Sequence, residues 1–252
     1  MTTLAARLPP ALWRETQGEF LKLVRMPLYA IPVVLFPLMF YGLFGLSFGG
    51  SREATYLIAS YGAFGVIGAG MFGLGVGVAM ERGQGWLTLK RASPMPPIAY
   101  FASKVVISMA FGALITLLLG TLGSAFGGVS LNAQQWFMLF ATLTIGAAPF
   151  CALGCALAYL VCPNSAPAIV NLIYLPMSFI SGLWIPMQML PEFVQFLAPA
   201  MPAFHLGRLA HRTIGFGDSS VIVHVTALAG FTVLFLFIAT YLYRRDEGVT
   251  FG

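Results

Sequence analysis

The stretch ERGQGWLTLKRASPMPPIAYFASK, residues 81–104, is a charged segment between two long apolar ones. No residue from 54 to 80 or from 105 to 191 carries a charge, whereas this stretch contains Glu81, Arg82, Lys90, Arg91 and Lys104. Charged side chains are costly to place in hydrocarbon. Residues 81–104 are therefore predicted to form a loop between two membrane spans that lies in water or against another protein.

The composition of the whole chain excludes a water-soluble fold. Of its 252 residues, 59% are apolar and 8% are charged, whereas soluble domains have about 25% charged residues. A membrane span needs about 20 apolar residues, so the chain has room for about six spans and short loops. It has no room for an additional soluble catalytic domain of about 100–150 residues. We expect one all-α, polytopic transmembrane domain, residues 1–252, that is not an enzyme by itself.

The apolar segments predict six transmembrane helices, at residues 28–48, 55–80, 105–126, 136–161, 168–185 and 221–243. An amphipathic helix is predicted before them at residues 11–26, after Pro9 and Pro10. It is too polar to span, so we expect it to lie along the cytoplasmic interface. The alternative is that it packs against a soluble neighbour. Its charged face comprises Arg14, Glu15, Glu19, Lys22 and Arg25.

Residues 186–220, between the fifth and sixth spans, are predicted to be a re-entrant segment at the outer interface. Two stretches in it, residues 192–197 and 204–214, are too short to span and are interpreted as half-helices. The prolines that punctuate this segment are Pro186, Pro191, Pro199 and Pro202.

The second predicted span has small residues at every fourth position: Gly65, Ala69, Gly73 and Gly77. Such a ridge allows another helix to approach closely. It could form a dimer interface or pack inside the bundle, and we favour internal packing because glycine ridges are common in multi-span proteins.

Basic residues predict the orientation of the chain in the membrane. With six spans, ten of the 13 basic residues fall on one side and three on the other. Both termini and residues 81–104 are therefore expected in the cytoplasm. Because these charges are spread along short loops, the net charge of +5 is not interpreted as nucleic-acid binding.

The sequence contains no energy source of its own. No Asp, Glu, Lys or Arg lies inside the predicted spans, and His224 is the one titratable histidine near a span end. No P-loop, H-E-x-x-H or G-x-S-x-G motif is present. Cys151 and Cys155 share a helix face, and His205 and His211 lie six residues apart, but neither pair has further ligands nearby in sequence, so no metal is expected.

The charged stretch has the spacing E-R-x-x-G-x-L-x-L-x-x-x-[ST]-P, followed by Met95, Tyr100 and Lys104. This pattern resembles the loop between the second and third spans of type-2 ABC transporter permeases. A second stretch, residues 181–209, is similar to the S-G-x-x-x-P-x-x-x-L-P segment of the same family. Six spans and the amphipathic N-terminal helix extend the resemblance along essentially the whole chain.

The resemblance implies a dimer of permease subunits on two cytoplasmic ABC ATPases, which carry the P-loops and bind ATP and Mg. Glu81 and Arg82 would begin the coupling helix, Gly85 would allow close approach, and Pro94 would end the helix. Leu87 and Leu89 would pack on the ATPase groove or on the bundle. Trp86, Lys90 and Arg91 depart from the commoner choices and would set which ATPase is accepted. The alternative is an ordinary solvated loop whose charges only fix topology.

The sequence thus predicts the permease subunit of an exporter in the bacterial cytoplasmic membrane. Its many apolar residues suggest an apolar or amphipathic cargo, whose identity and contacts stay open. A homodimer is favoured, a heterodimer is possible, and membrane lipid is an expected partner. The alternatives are a non-transporting membrane assembly or sensing module and an ion-coupled carrier.

Overall fold

The computed structural model describes residues 2–25, 27–47, 50–92, 95–218 and 220–250, and no strand occurs among them. The all-helical class is confirmed. The helices are α1 (Thr2–Arg25), α2 (Pro27–Phe40), α3 (Ser51–Gly70), α4 (Gly77–Gly83), α5 (Trp86–Ala92), α6 (Pro97–Phe126), α7 (Ala133–Ile145), α8 (Ala148–Leu160), α9 (Ala166–Ile180), α10 (Glu192–Leu197), α11 (Pro202–Thr213) and α12 (Val221–Thr250).

Four helical segments of the described residues are long and apolar enough to cross a membrane. They are Ser51–Gly83, Ile98–Phe126, Ala133–Leu160 and Val221–Asp246, and they coincide with the second, third, fourth and sixth predicted spans. The other two apolar segments are shorter: Ile31–Leu46, and α9 with 15 residues. Both contain internal prolines, which remove helical hydrogen bonds.

The helix that starts with α3 changes pitch at its centre. A π-helical turn, Met71–Val76, joins α3 to α4 where the sequence is rich in glycine. Helix α8 packs against this turn. A Cβ atom on Gly154 of α8 would lie 3.0 Å from the Met71 carbonyl oxygen and 3.1 Å from that of Gly70. Glycine at position 154 therefore lets the two backbones touch.

The ridge of small residues in α3 and the following turn lies against helices of the same chain. A Cβ on Gly65 would come within 2.6 Å of Ile115, and one on Gly73 within 2.4 Å of the Ser108 hydroxyl. Ile115 and Ser108 belong to α6, and Ala69 is buried. Gly77 is less crowded, with Lys104 Nζ 3.9 Å from the Cβ position. This arrangement supports internal packing of the ridge.

Several helix boundaries differ from the prediction, and the differences at α1, α4 and α6 move charged residues into helices. Helix α1 starts at Thr2 and continues through Pro9 and Pro10. Helix α4 runs on to Gly83. Helix α6 begins at Pro97, since proline fits the first turn of a helix, where its missing N–H costs nothing. The predicted loop 81–104 is thereby reduced to a short helix, α5, between the ends of two long ones.

The segment between α9 and α12 contains two short helices close to those predicted. Its prolines lie at the junctions. Pro186 precedes a 3₁₀ turn, Pro191 caps α10, Pro199 lies in a second 3₁₀ turn and Pro202 begins α11.

Candidate functional site

Helix α5 is the short element in the middle of the charged stretch. It is separated from α4 by a two-residue turn in which Gly85 has φ +76°. This left-handed conformation strongly favours glycine. A Cβ at Gly85 would meet no atom of the chain within 4 Å. Within this chain, glycine is therefore favoured at position 85 by the left-handed backbone conformation, since no neighbouring atom would meet a side chain there.

Helix α5 has one face on the bundle and one face open. Leu87 is 8% exposed and belongs to the core, whereas Leu89 is 69% exposed and Trp86 is also exposed. Lys90 lies 4.3 Å from the centre of the Tyr100 ring and pairs with the Glu15 carboxylate of α1. Two predicted site residues cannot be placed: the Arg91 side chain and Pro94 lie outside the described residues.

Glu81, near the end of α4, is the centre of a buried cluster of charges. It is 5% exposed, and Lys104 of α6 is 3% exposed. Lys104 Nζ donates to Glu81 Oε1 at 2.9 Å, and Tyr100 Oη donates to Glu81 Oε2 at 2.6 Å. The ammonium group of Lys22 on α1 also pairs with the Glu81 carboxylate. Four polar groups from three helices therefore converge at one point.

Helix α1 contributes three of the charges in this cluster. Glu19 Oε1 lies 2.9 Å from Lys104 Nζ and 4.0 Å from Lys90 Nζ. The cluster then comprises three carboxylates and three ammonium groups, namely Glu15, Glu19, Glu81, Lys22, Lys90 and Lys104. Because the charges balance, the cluster can be buried. Loss of one member would leave an opposite charge without compensation, which is the costly case.

Arg82 makes a separate set of contacts on the other side of α4. Its Nη2 donates to the Val161 carbonyl at 2.7 Å and its Nη1 to the Tyr159 carbonyl at 3.2 Å, at the C-terminal end of α8. Carbonyls at this end lack intrahelical partners and carry partial negative charge. Nη1 also lies 3.4 Å from the Asp246 carboxylate of α12. Arg82 thus ties α4 to α8 and α12.

Glu81 and Arg82 are predictable from the sequence pattern, but their partners are not. The family resemblance implies that both residues begin the coupling helix, whereas they lie in α4, before the turn that leads into α5. The amphipathic helix is predicted to lie along the interface, and Glu15, Glu19 and Lys22 on its charged face pair with Lys90 of α5, Lys104 of α6 and Glu81 of α4. The sequence does contain a pattern that places these partners together: Glu15, Glu19 and Lys22 follow the i, i+4, i+7 spacing of one helix face. Trp13 and Phe20, on the apolar face, are exposed, as an interfacial helix requires.

The histidines lie at the other end of the bundle and do not share a site. His211 Nε2 is 2.9 Å from the Ser60 hydroxyl, whereas His205 Nδ1 is 2.8 Å from His224 Nδ1. Burial, with a smaller contribution from the Arg208 charge, lowers the pKa of His211 to about 3. Burial also lowers the pKa of His205, and a hydrogen bond with the Pro199 carbonyl offsets part of this effect. Both rings are neutral at pH 7.

No group of three or more His, Cys, Asp or Glu side chains suited to a metal ion occurs in the described part of the chain. Cys151, Cys155 and Cys162 are free thiols.

Comparison with known proteins supports the pattern found in the charged stretch. The model of the family described as "ABC-2 type transporter" matches residues 10–214. The chain is also 25% identical, over 244 residues, to a protein of Bacillus subtilis (strain 168) named "Putative transport permease YvfS". That alignment covers 94% of this chain and 99% of the relative. The residues matched by the family model contain α4, α5, α6 and the six residues of the charge cluster.

Proposed function

Because the chain belongs to the ABC-2 type transporter family, we propose that it is the permease subunit of an ATP-driven exporter powered by a separate ABC ATPase. In this proposal the chain crosses the bacterial cytoplasmic membrane six times, with α2 and α9 as the two shorter spans. Both termini and α5 face the cytoplasm, as the distribution of basic residues favours. Residues 186–220 re-enter the outer interface.

The observation that carries the proposal is the construction of α5. A helix that presents Trp86 and Leu89 outward and is anchored inward by Leu87 and Lys90 is suited to bind a partner and to pass force to the bundle. Exposed aromatic and aliphatic side chains on a short helix can occupy a groove in that partner. We propose that this partner is the ATPase, with one copy on each subunit of a permease dimer, a homodimer in the simplest case.

Glu81 and Arg82 receive a positioning role in this proposal. The buried cluster fixes the end of α4 to α1 and α6, and Arg82 fixes it to α8 and α12. A displacement of α5 by the ATPase would therefore move α1, α4 and α6 together. Gly85 gives the turn between α4 and α5 its shape. ATP and Mg would bind to the ATPase and not to this chain, and the cargo would be apolar or amphipathic.

Co-purification with a co-expressed ABC ATPase of the same organism tests the docking surface. We expect Leu89→Asp to abolish co-purification, because a charge would enter an apolar contact. Leu197→Asp is the matched control, since Leu197 is also an exposed leucine but lies on α10 at the other end of the bundle. Equal ATPase recovery with both variants would contradict the assignment of α5.

A transport assay separates the proposed function from its alternatives. Reconstituted with the ATPase, the chain should stimulate ATP hydrolysis and support ATP-dependent efflux of a fluorescent amphiphile from vesicles. Binding of the ATPase without any efflux would favour an assembly or sensing module. Efflux from vesicles that contain this chain alone would indicate an ion-coupled carrier.

A further inference from the structure

The end of the bundle opposite α5 contains a cavity of about 620 Å³ that the coupling function does not use. Its walls come from the end of α2 and the following turn, the first two turns of α3, the segment after α9 and the loop after α11. This volume is in the range of sites for small organic ligands, about 300–1,000 Å³. Five aromatic rings line the cavity: Phe40, Phe44, Tyr56, Trp184 and Phe216.

The aromatic rings are held in place by contacts with one another and with the bundle. Phe40 stacks on Trp184 with ring centres 5.4 Å apart and on Phe44 with centres 6.0 Å apart. Tyr56 stacks on His211 at 4.0 Å. A wall that is ordered before a ligand arrives lowers the entropic cost of binding.

Phe216 is brought to the cavity by a turn between two glycines. Gly215 has φ +88° and Gly217 has φ +84°, conformations that other residues rarely adopt. The Phe216 N–H donates to the His211 carbonyl at 2.9 Å. The Phe216 ring meets Tyr56 edge to face, with ring centres 5.6 Å apart. The loop after α11 is therefore shaped to complete the aromatic wall.

Two charged residues line this cavity, Arg52 and Glu53. The Arg52 guanidinium lies 5.8 Å from the centre of the Phe216 ring, and its side chain is exposed. No ion pair joins Arg52 to a carboxylate in the part of the chain that the structure describes. The neighbouring Glu53 already accepts the Gly50 N–H at 3.1 Å, as part of the cap of α3. The group left to meet a ligand is thus a guanidinium, which binds carboxylates and phosphates through paired hydrogen bonds.

We propose that this cavity binds an anionic amphiphile, with its carboxylate or phosphate on Arg52 and its apolar body against the aromatic rings. A membrane phospholipid and a free amphiphile share this chemistry. The binding needs no ATPase, so it can hold or fail independently of the proposed coupling function.

Trp184 provides a reporter inside the site. The chain has four tryptophans, and Trp13→Phe, Trp86→Phe and Trp136→Phe leave Trp184 alone. The purified single-tryptophan protein, in phosphatidylcholine nanodiscs, is titrated with a brominated fatty acid and with an uncharged brominated monoacylglycerol. Bromine quenches tryptophan fluorescence at contact distance. A parallel arm contains brominated phosphatidylglycerol in the bilayer and distinguishes a lipid source from a free one.

We expect saturable quenching of Trp184 by the anionic probes that exceeds the quenching by the uncharged probe. Arg52→Gln should weaken this binding about tenfold, the effect of losing one charge-assisted contact. Arg52→Lys keeps the charge but loses the planar guanidinium, so its affinity for the anionic probes should lie between those of the unchanged protein and of Arg52→Gln. Arg212→Gln is the matched control, because Arg212 belongs to the same end of the bundle but does not line the cavity.

Equal quenching by charged and uncharged probes, or an unchanged titration with Arg52→Gln, would overturn the proposal. Absence of quenching by every probe would also overturn it. If Arg52→Gln then converts a dimer to a monomer in light scattering, the cavity is covered by a second copy of the chain instead. Unfolding curves of each variant without probe show whether Arg52→Gln alters the fold. If it does, the probe affinity of Arg52→Lys is compared with that of the unchanged protein instead.

Discussion

The two ends of the bundle bury polar groups in different ways. The α4–α6 end buries full charges, and its cluster is neutral only because three ammonium groups match three carboxylates. The opposite end buries neutral groups, histidines that hydrogen-bond to Ser60, to a backbone carbonyl and to each other. Ion pairs join separate helices at the α4–α6 end. At the histidine end, stacked aromatic rings line a cavity.

This difference fits the proposed roles, in which the α4–α6 end transmits force and the opposite end binds a ligand. A buried charge cannot separate from its partner without a large cost, so helices joined by ion pairs move as one body. Neutral hydrogen bonds contribute about 0.5–1.5 kcal/mol each, so losing one at the histidine end should cost less than losing one member of a buried ion pair. The following experiments test this contrast, in order of decreasing effect.

Glu81→Gln should have the largest effect. The change leaves Lys104 and Lys22 near a neutral amide, in a site where Glu81 is 5% exposed. Breaking a buried pair from one side costs about 3–5 kcal/mol. Denaturant unfolding of the purified protein in detergent measures the loss. Glu192→Gln, at an exposed carboxylate of α10, is the control and should leave the free energy of unfolding unchanged.

A double substitution sharpens this test. Lys104→Met combined with Glu81→Gln removes both charges of the most buried pair, so it should be less destabilising than the sum of the single changes. Additive effects would show that the two side chains do not interact, and the cluster would then not explain how α4 is fixed to α6.

Arg82→Gln should reduce stability by about 2–3 kcal/mol, because two carbonyls at the end of α8 lose a charged donor. Asp246→Asn should cost less, since that carboxylate is 3.4 Å away and partly exposed. Denaturant unfolding again gives the values. A larger effect of Asp246→Asn than of Arg82→Gln would mean that the ion pair, and not the α8 carbonyls, holds Arg82.

His211 should make the protein less stable in acid. Its pKa is lowered to about 3 in the folded protein by burial, whereas an unfolded histidine has a pKa of about 6.5. Below pH 6.5 the unfolded chain therefore binds a proton that the folded chain does not, and stability falls as the pH falls. The loss approaches about 1.4 kcal/mol per pH unit between these two pKa values.

Unfolding curves at pH 7.5, 6.5 and 5.5 measure this dependence. His211→Gln should reduce the slope relative to the unchanged protein, because the glutamine does not titrate. An identical slope in the two proteins would assign the dependence to His205 and His224.

Leu89→Ala should have the smallest effect on folding and a specific effect on function. Leu89 is 69% exposed, so its truncation should change the free energy of unfolding by less than about 0.5 kcal/mol. Leu87→Ala, on the buried face of α5, should cost about 2–5 kcal/mol. The expected pattern is normal unfolding of Leu89→Ala with weakened ATPase binding. Equal destabilisation by the two changes would contradict the two-faced arrangement of α5.

Much of this protein could be predicted from the sequence because hydropathy is a local property. Four of the predicted spans coincide with long apolar helices, and the short helix Glu192–Leu197 has the bounds that the prolines suggested. The charged stretch could be predicted as a candidate site because it separates two uncharged segments. Helix boundaries were harder to predict, since the ends of α4 and α6 carry charges that a hydropathy pattern assigns to a loop.

An all-helical membrane protein with a charged segment between apolar ones can be predicted from the order of residues alone, because apolar content and charge spacing depend on nothing else. Only the tertiary structure decided what the charges do. Glu15, Glu19 and Lys22 lie about 60 residues before Glu81, and no local pattern pairs residues so far apart. Burial makes such ion pairs strong, and burial is a property of the packed helices.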